Sequence, residues 1–92
     1  MIKSFRHKGL KLLFKSGSKK GIPPKLAEKI IRRLDALDAA LGPLDLYMPG
    51  FDLHELKGDR EGTWSINLTA NWRITFRFED SYAFDVDLED YH

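Results

Sequence analysis

Residues 51–78 read FDLHELKGDREGTWSINLTANWRITFRF, and the alternation inside this stretch decides the fold. Trp64, Ile66 and Leu68 alternate with Ser65, Asn67 and Thr69; Trp72, Ile74, Phe76 and Phe78 alternate with Arg73, Thr75 and Arg77. Just beyond, Tyr82, Phe84, Val86 and Leu88 alternate with Ala83, Asp85, Asp87 and Glu89. A period of two marks antiparallel strands with one face on a core and the other toward water. Phe51 to Leu56 reads as a strand-like run with Leu53 and Leu56 in the core. It is followed by the turn Lys57-Gly58-Asp59-Arg60, where Gly58 supplies a positive φ and Asp59 a local cap.

Parity constrains how these strands pair. If the apolar sets share a face, each loop has an odd number of residues or its strand carries a bulge. Thr69-Ala70-Asn71, with Asn71 left-handed, is the simplest first loop; it sets Leu68 opposite Trp72 and Asn67 opposite Arg73. Glu79-Asp80-Ser81 as the second loop sets Arg73 opposite Asp87 and Thr75 opposite Asp85. The period-two carboxylates Asp85, Asp87 and Glu89 then read as a solvated face.

Upstream the period changes. Ile2 to Phe5 is a candidate short strand. Leu10, Leu13 and Phe14 follow helical spacing, with Gly17 where a C-cap belongs. After the loop from Ser16 to Ile22, Pro23-Pro24 opens a second helix whose stripe is Leu26, Ile30, Leu34, Leu37 and Leu41, ended by Gly42-Pro43. Pro49-Gly50 turns the chain into the sheet. The expected architecture is α+β, with two N-terminal helices packed on a small, mainly antiparallel sheet. Residues 1–92 form one domain, a length that buries about 60–65% of the unfolded surface.

The chain has no cysteine and a formal net charge of +1. Disulfides and thiolate metal sites are therefore excluded, and a reducing cytoplasm is the expected compartment. The basic start, MIKSFRHKGLKLLF, has too short an apolar run for a signal peptide, and no stretch approaches a membrane span. The charge is unevenly placed. Residues 1–33 hold eleven Lys and Arg against Glu28 alone, a net +10; the remainder holds four basic and thirteen acidic residues, a net −9. Such a dipole either forms a solvated helical surface or meets a polyanion or an acidic partner.

Arg73, on the water-facing side, has two readings. A guanidinium there can grip a phosphate through paired hydrogen bonds, or it can pair across strands with Asp87. His54 is either a satisfied edge histidine or one half of an imidazole pair with His92. Asp90, Tyr91 and His92 form either a frayed polar tail or a proton-handling cluster, with Asp90 fixing a tautomer and Tyr91 stacking on a base. Two imidazoles in one cleft suit general acid–base cleavage of RNA. Lys57 and Arg60 belong to the turn or touch phosphates. His7 is a surface or backbone-contact residue, not a catalyst. Histidines at 7, 54 and 92 share no metal-ligand spacing, and phosphate-loop, dinucleotide and nucleophile-elbow patterns are absent.

Taken together, HxLKGDR (54–60), NWRI (71–74) and the terminal EDYH (89–92), with MIKSF at the start, resemble the HigB branch of the RelE/ParE toxins of toxin–antitoxin pairs. The resemblance implies a RelE-like microbial ribonuclease fold and a ribosome-dependent endoribonuclease that cuts mRNA in the A site without metal or cofactor. It assigns His54 and His92 to acid–base roles, Arg73 to the pentavalent phosphate, and Asp90 and Tyr91 to orientation and stacking. It assigns RNA and ribosome contacts to Lys8, Lys11, Lys19, Lys20, Arg32, Arg33, Lys57, Arg60 and Asn71. The implied partner is a helix-turn-helix antitoxin (HigA-like), with operator DNA reached only through it. Sites of the RelE type lean on lysine, arginine and tyrosine, so the histidines here favour the HigB branch. A ParE-like, gyrase-binding toxin on the same fold is the alternative; a non-catalytic RNA-binding module is a third, and neither needs His54, His92 and Arg73 to converge.

Overall fold

The computed structural model describes residues 1–90. Helices α1 (Lys8–Ser16) and α2 (Ala27–Ala39) precede four strands, β1 (His54–Glu55), β2 (Trp64–Asn67), β3 (Trp72–Glu79) and β4 (Tyr82–Asp90). The strands form one sheet in the order β1-β2-β3-β4, every neighbour antiparallel. The expected α+β architecture holds, although the run from Phe51 to Leu56 gives a strand of two residues only. Among the described residues no helix is long and apolar enough to cross a membrane.

One face of the sheet meets the helices. Ile66, Ile74, Phe76 and Val86 are fully buried in one cluster with Leu10 and Leu13 of α1 and Ile30, Leu34 and Leu37 of α2. Burying each such side chain contributes about 1.5–3 kcal/mol. Both ends of α1 are capped as the local sequence demands. His7 Nδ1 accepts the Leu10 N–H at 3.1 Å, and Gly17, at φ 74°, returns its N–H to the Leu13 carbonyl. His7 is thus a capping residue. Residues 2–6 run along β4, bridging Ile2 with Ala83 and Phe5 with Val86 in parallel, and so cover that edge of the sheet. The Ile2 N–H also donates to Asp38 Oδ1 on α2 at 2.8 Å.

Helix α2 stops earlier than its stripe. Leu41 lies outside it and is 69% exposed. Its N–H donates to Asp45 Oδ2 at 2.8 Å, and Pro43–Leu46 form a 3-10 turn. Pro43 cannot continue a helix and restricts Gly42 before it, so the chain turns two residues short.

The β2–β3 register matches expectation, with Asn67 opposite Arg73 and the Leu68 N–H on the Trp72 carbonyl at 3.0 Å. Asn71 is not left-handed; the turn is held by Thr69 Oγ1, which accepts the N–H groups of Asn71 and Trp72, each at 3.3 Å. The β3–β4 register departs from expectation. Glu79 pairs with Tyr82 across the two-residue turn Asp80-Ser81, with Asp80 at φ 57°. That even loop inverts the parity, and a bulge in β4 restores it: Arg77 faces Phe84 while Thr75 faces Asp87. Asp85, at φ 56°, is the bulged residue, and its N–H donates to Ser4 Oγ at 2.9 Å. Aspartate is among the few side chains that tolerate this conformation. Before the bulge Tyr82 and Phe84 therefore face outward and Ala83 inward; after it Val86 and Leu88 face inward as expected. Arg73 faces Glu89 instead of Asp87, and Thr75 faces Asp87 instead of Asp85.

The two-residue turn makes a measurable difference at Ala83, which is fully buried. Ala83→Leu overpacks the core and lowers stability by about 1–3 kcal/mol in urea unfolding. The register with a three-residue loop would place residue 83 toward water and make the change nearly neutral.

Candidate active site on the outward sheet face

The observed pairing sets two rows of polar side chains across the outward face. His54, Ser65, Thr75 and Asp87 form one, and Asn67, Arg73 and Glu89 the next. Ser65 and Thr75 are 1% and 2% exposed although they point away from the helices. Residues 56–63 fold back over them. The Leu56 N–H bonds the Thr63 carbonyl, a 3-10 turn runs from Gly58 to Arg60, and Glu55 Oε2 accepts the Gly62 N–H at 2.9 Å. Gly58 takes the positive φ (77°) expected of it, but the turn has no side-chain cap, so the cap assigned to Asp59 is not formed.

Arg60 crosses the sheet to β4. Glu89 Oε1 accepts from Arg60 Nη1 at 3.0 Å and from Arg73 Nη2 at 3.1 Å. Its other oxygen, Oε2, accepts from Arg60 Nη2 and from Thr75 Oγ1, the latter at 2.8 Å. The side chains of Glu89 and Arg73 are 20% and 17% exposed, so this is an inner polar network and Glu89 is not part of a solvated face. The Arg60 hydrogen bonds hold the Glu89 carboxyl well below its ordinary range, at about 2, against the opposing effect of burial, and Thr75 and Arg73 add to the lowering. The same bonds raise the Arg60 guanidinium.

His54 is exposed, and its Nδ1 lies 2.9 Å from the Asp52 carbonyl oxygen. A carbonyl oxygen only accepts, so Nδ1 carries the proton and Nε2 is the bare nitrogen of the neutral ring. Asp52, at φ 46°, adopts a left-handed conformation two residues before this histidine. Asp90 ends β4 opposite Trp72, one residue past Glu89. The expectations for Tyr91 and His92, including the distance between the two imidazoles, lie outside the described residues.

The remaining positions assigned to RNA contacts divide. Lys8, Lys11, Lys19, Lys20, Arg32, Lys57 and Asn71 are exposed. Arg33 instead stacks 4.2 Å from the centre of the Phe51 ring and donates Nε–H to the Asn67 carbonyl at 3.1 Å. Burial, with help from Arg32, lowers its pKa. It is a brace between α2 and the sheet, as Arg60 is a brace across the sheet. Sequence reasoning missed Glu89 because its period-two spacing matched a solvated strand. Among the described residues no cluster of His, Asp or Glu could hold a metal ion.

A family model for the RelE-like toxin of the type II toxin–antitoxin system HigB matches residues 3–92. Endoribonuclease HigB of Proteus vulgaris is 52% identical over 92 residues, covering 100% of both chains. Toxin HigB-1 of Vibrio cholerae serotype O1 is 32% identical over 69 residues, covering 74% of this chain and 73% of that protein. A crystal structure of a YafQ point mutant from E. coli has the same fold, with a TM-score of 0.60 and 13% identity over 98% of this chain and 93% of that one.

The lowered Glu89 carboxyl makes stability depend on acid in a defined window. A lowering from 4.5 to about 2 corresponds to about 3 kcal/mol. That contribution is complete above pH ~4.5 and is lost as the pH falls toward ~2, because the unfolded carboxyl takes up its proton first. Urea midpoints of wild type and Glu89→Gln at pH 6, 4 and 2.5 check this: the gap between them narrows as acid is added. A gap that stays constant contradicts the network.

Proposed function

The chain belongs to the HigB-like family of RelE-like toxins of type II toxin–antitoxin systems, and on that premise we propose that it cleaves messenger RNA in the ribosomal A site. It is an endoribonuclease, in line with the Proteus vulgaris protein that it matches from end to end. Cleavage proceeds by attack of a ribose 2′-OH on the adjacent phosphate, leaving a 2′,3′-cyclic or 3′-phosphate.

The observation that carries the chemistry is the single outward face that gathers His54, Arg73 and, on β4, Glu89. Standard strand spacings put the Cα atoms of His54 and Arg73 on the order of 12 Å apart, two strands and one pleat from each other. Two long side chains span that gap around one phosphodiester. Because His54 Nδ1 donates to the Asp52 carbonyl, its Nε2 is the base that takes the 2′-OH proton. His92 then protonates the leaving 5′ oxygen. Arg73, positioned by Glu89, stabilises charge growing on the phosphate. Asp90 orients, and Tyr91 stacks on a base.

Lys8, Lys11, Lys19, Lys20 and Arg32 form the sequence-independent footprint on ribosomal RNA, with Lys57 and Asn71 nearer the message. Arg33 and Arg60 drop out of this footprint because their guanidiniums brace the fold. Type II systems pair the toxin with an antitoxin; here it is a HigA-like helix-turn-helix protein through which operator DNA is reached, and both act in the cytoplasm. Gyrase binding, the alternative for this fold, has no support among the relatives.

Mapping mRNA 5′ ends on translating ribosomes tests this reading. Wild type cuts within the A-site codon, and activity falls steeply with added salt. His54→Ala and Arg73→Ala each reduce the cleavage rate by about 10²–10⁴-fold. Intact message with wild type refutes the function; cuts that survive both substitutions refute the site.

A further inference from the structure

A cavity of about 300 Å³ opens on the same outward face, toward the β3–β4 turn, with Arg6, Arg60, Thr75, Arg77 and Asp85 in its wall. Its three arginines are not equivalent. Arg60 commits both terminal nitrogens to Glu89. The guanidinium groups of Arg6 and Arg77 make no hydrogen bond among the described residues. They approach one oxygen of Asp85 from 4.0 and 3.7 Å, and Arg77 lies 3.5 Å from Glu79, with the two side chains 65% and 48% exposed. Contacts of this length on exposed side chains are weak, and a phosphate offering paired acceptors binds a guanidinium better. Asp85 is held at the bulge by its left-handed backbone and by the bond from its N–H to Ser4 Oγ. The wall also includes the exposed Asp59 and Glu61, so it sets donors and acceptors side by side. That mixture suits a nucleotide, whose phosphate takes the guanidiniums while ribose hydroxyl and base N–H groups meet the carboxylates.

We propose that this cavity is a nucleotide subsite, which holds a flanking residue of single-stranded RNA with its phosphate on Arg6 and Arg77. It rests on the ribonuclease reading and lies apart from the bond being cut. Arg77 and Arg73 share one face of β3, four residues and about 13 Å from each other. The subsite sets the path of the strand past the catalytic groups and contributes binding to substrate and transition state alike.

The test is binding of a fluorescent, 2′-O-methyl RNA hexanucleotide, which blocks attack by the 2′-OH, from 50 to 300 mM salt. Arg6→Ala and Arg77→Ala each weaken binding by about 5–20-fold and reduce the logarithmic salt slope by about 0.7. Arg77→Lys recovers only part, since it keeps the charge without the fork. Lys25→Ala, which removes an exposed charge elsewhere, serves as the comparison and has a smaller effect. Thermal melts verify that each variant folds. Unchanged affinity and slope in the Arg6→Ala/Arg77→Ala double variant, losses no larger than that of Lys25→Ala, or no binding by wild type at any salt would overturn the subsite. Cleavage by wild type is scored separately, so a failed nuclease reading and a failed subsite give different results.

Discussion

The carboxylate of Glu89 is the point at which β3, β4 and the segment 56–63 are tied together. Four hydrogen bonds from Arg60, Arg73 and Thr75 converge on its two oxygens. Removing a carboxylate from such a network leaves two guanidiniums with lost partners; the largely buried Arg73 pair costs most to break, and the Arg60 pair, with that arginine 40% exposed, costs less. The network also fixes where Arg73 stands, because its terminal nitrogen is held by a residue directly across the strand pair. Rigid placement of a charged group before substrate arrives is what makes electrostatic stabilisation effective. Under the proposed mechanism one residue thereby serves fold and chemistry together.

Much of this was legible in the sequence. The helical stripe through Ile30, Leu34 and Leu37, the Gly17 cap and the alternation in β2 and β3 were readable locally, and the structure reproduces them; in β4 the expected alternation holds only from Val86 onward. The β2–β3 register was readable too, since the odd loop alone satisfied parity. The β3–β4 register was not. Parity permits either an odd loop or a bulge, and the choice was made by contacts remote in sequence. Asp85 bulges where Ser4, 81 residues away, accepts its N–H. The two-residue turn put Tyr82 and Phe84 outward, and the bulge then set Glu89 opposite Arg73. Arg33 and Arg60 were legible as cations but not as braces, because stacking on Phe51 and reaching across the sheet are tertiary facts.

The charge asymmetry takes on a spatial meaning in the fold. The basic N-terminal third builds α1, most of α2 and the edge beside β4, while most acidic residues lie in the sheet and its turns. Acids on the outward face do not cancel a nucleic-acid site when they are already committed to arginines. Glu89 is occupied, Asp85 is shared between Arg6 and Arg77, and the exposed lysines of α1 and the loop after it carry no compensating acid nearby in sequence. In the proposed site an RNA strand meets arginines whose geometry is set by carboxylates.

The most direct test of the account is single-turnover RNA cleavage by Glu89→Gln and Glu89→Asp on programmed ribosomes, beside thermal melts. Glutamine keeps the shape and abolishes the charge. The account predicts at least a tenfold lower rate for Glu89→Gln with little change in half-saturating concentration, partial recovery in Glu89→Asp, and a cooperative melt above the assay temperature. A wild-type rate in a folded Glu89→Gln protein would contradict it, and would mean that Arg73 finds its place without the carboxylate.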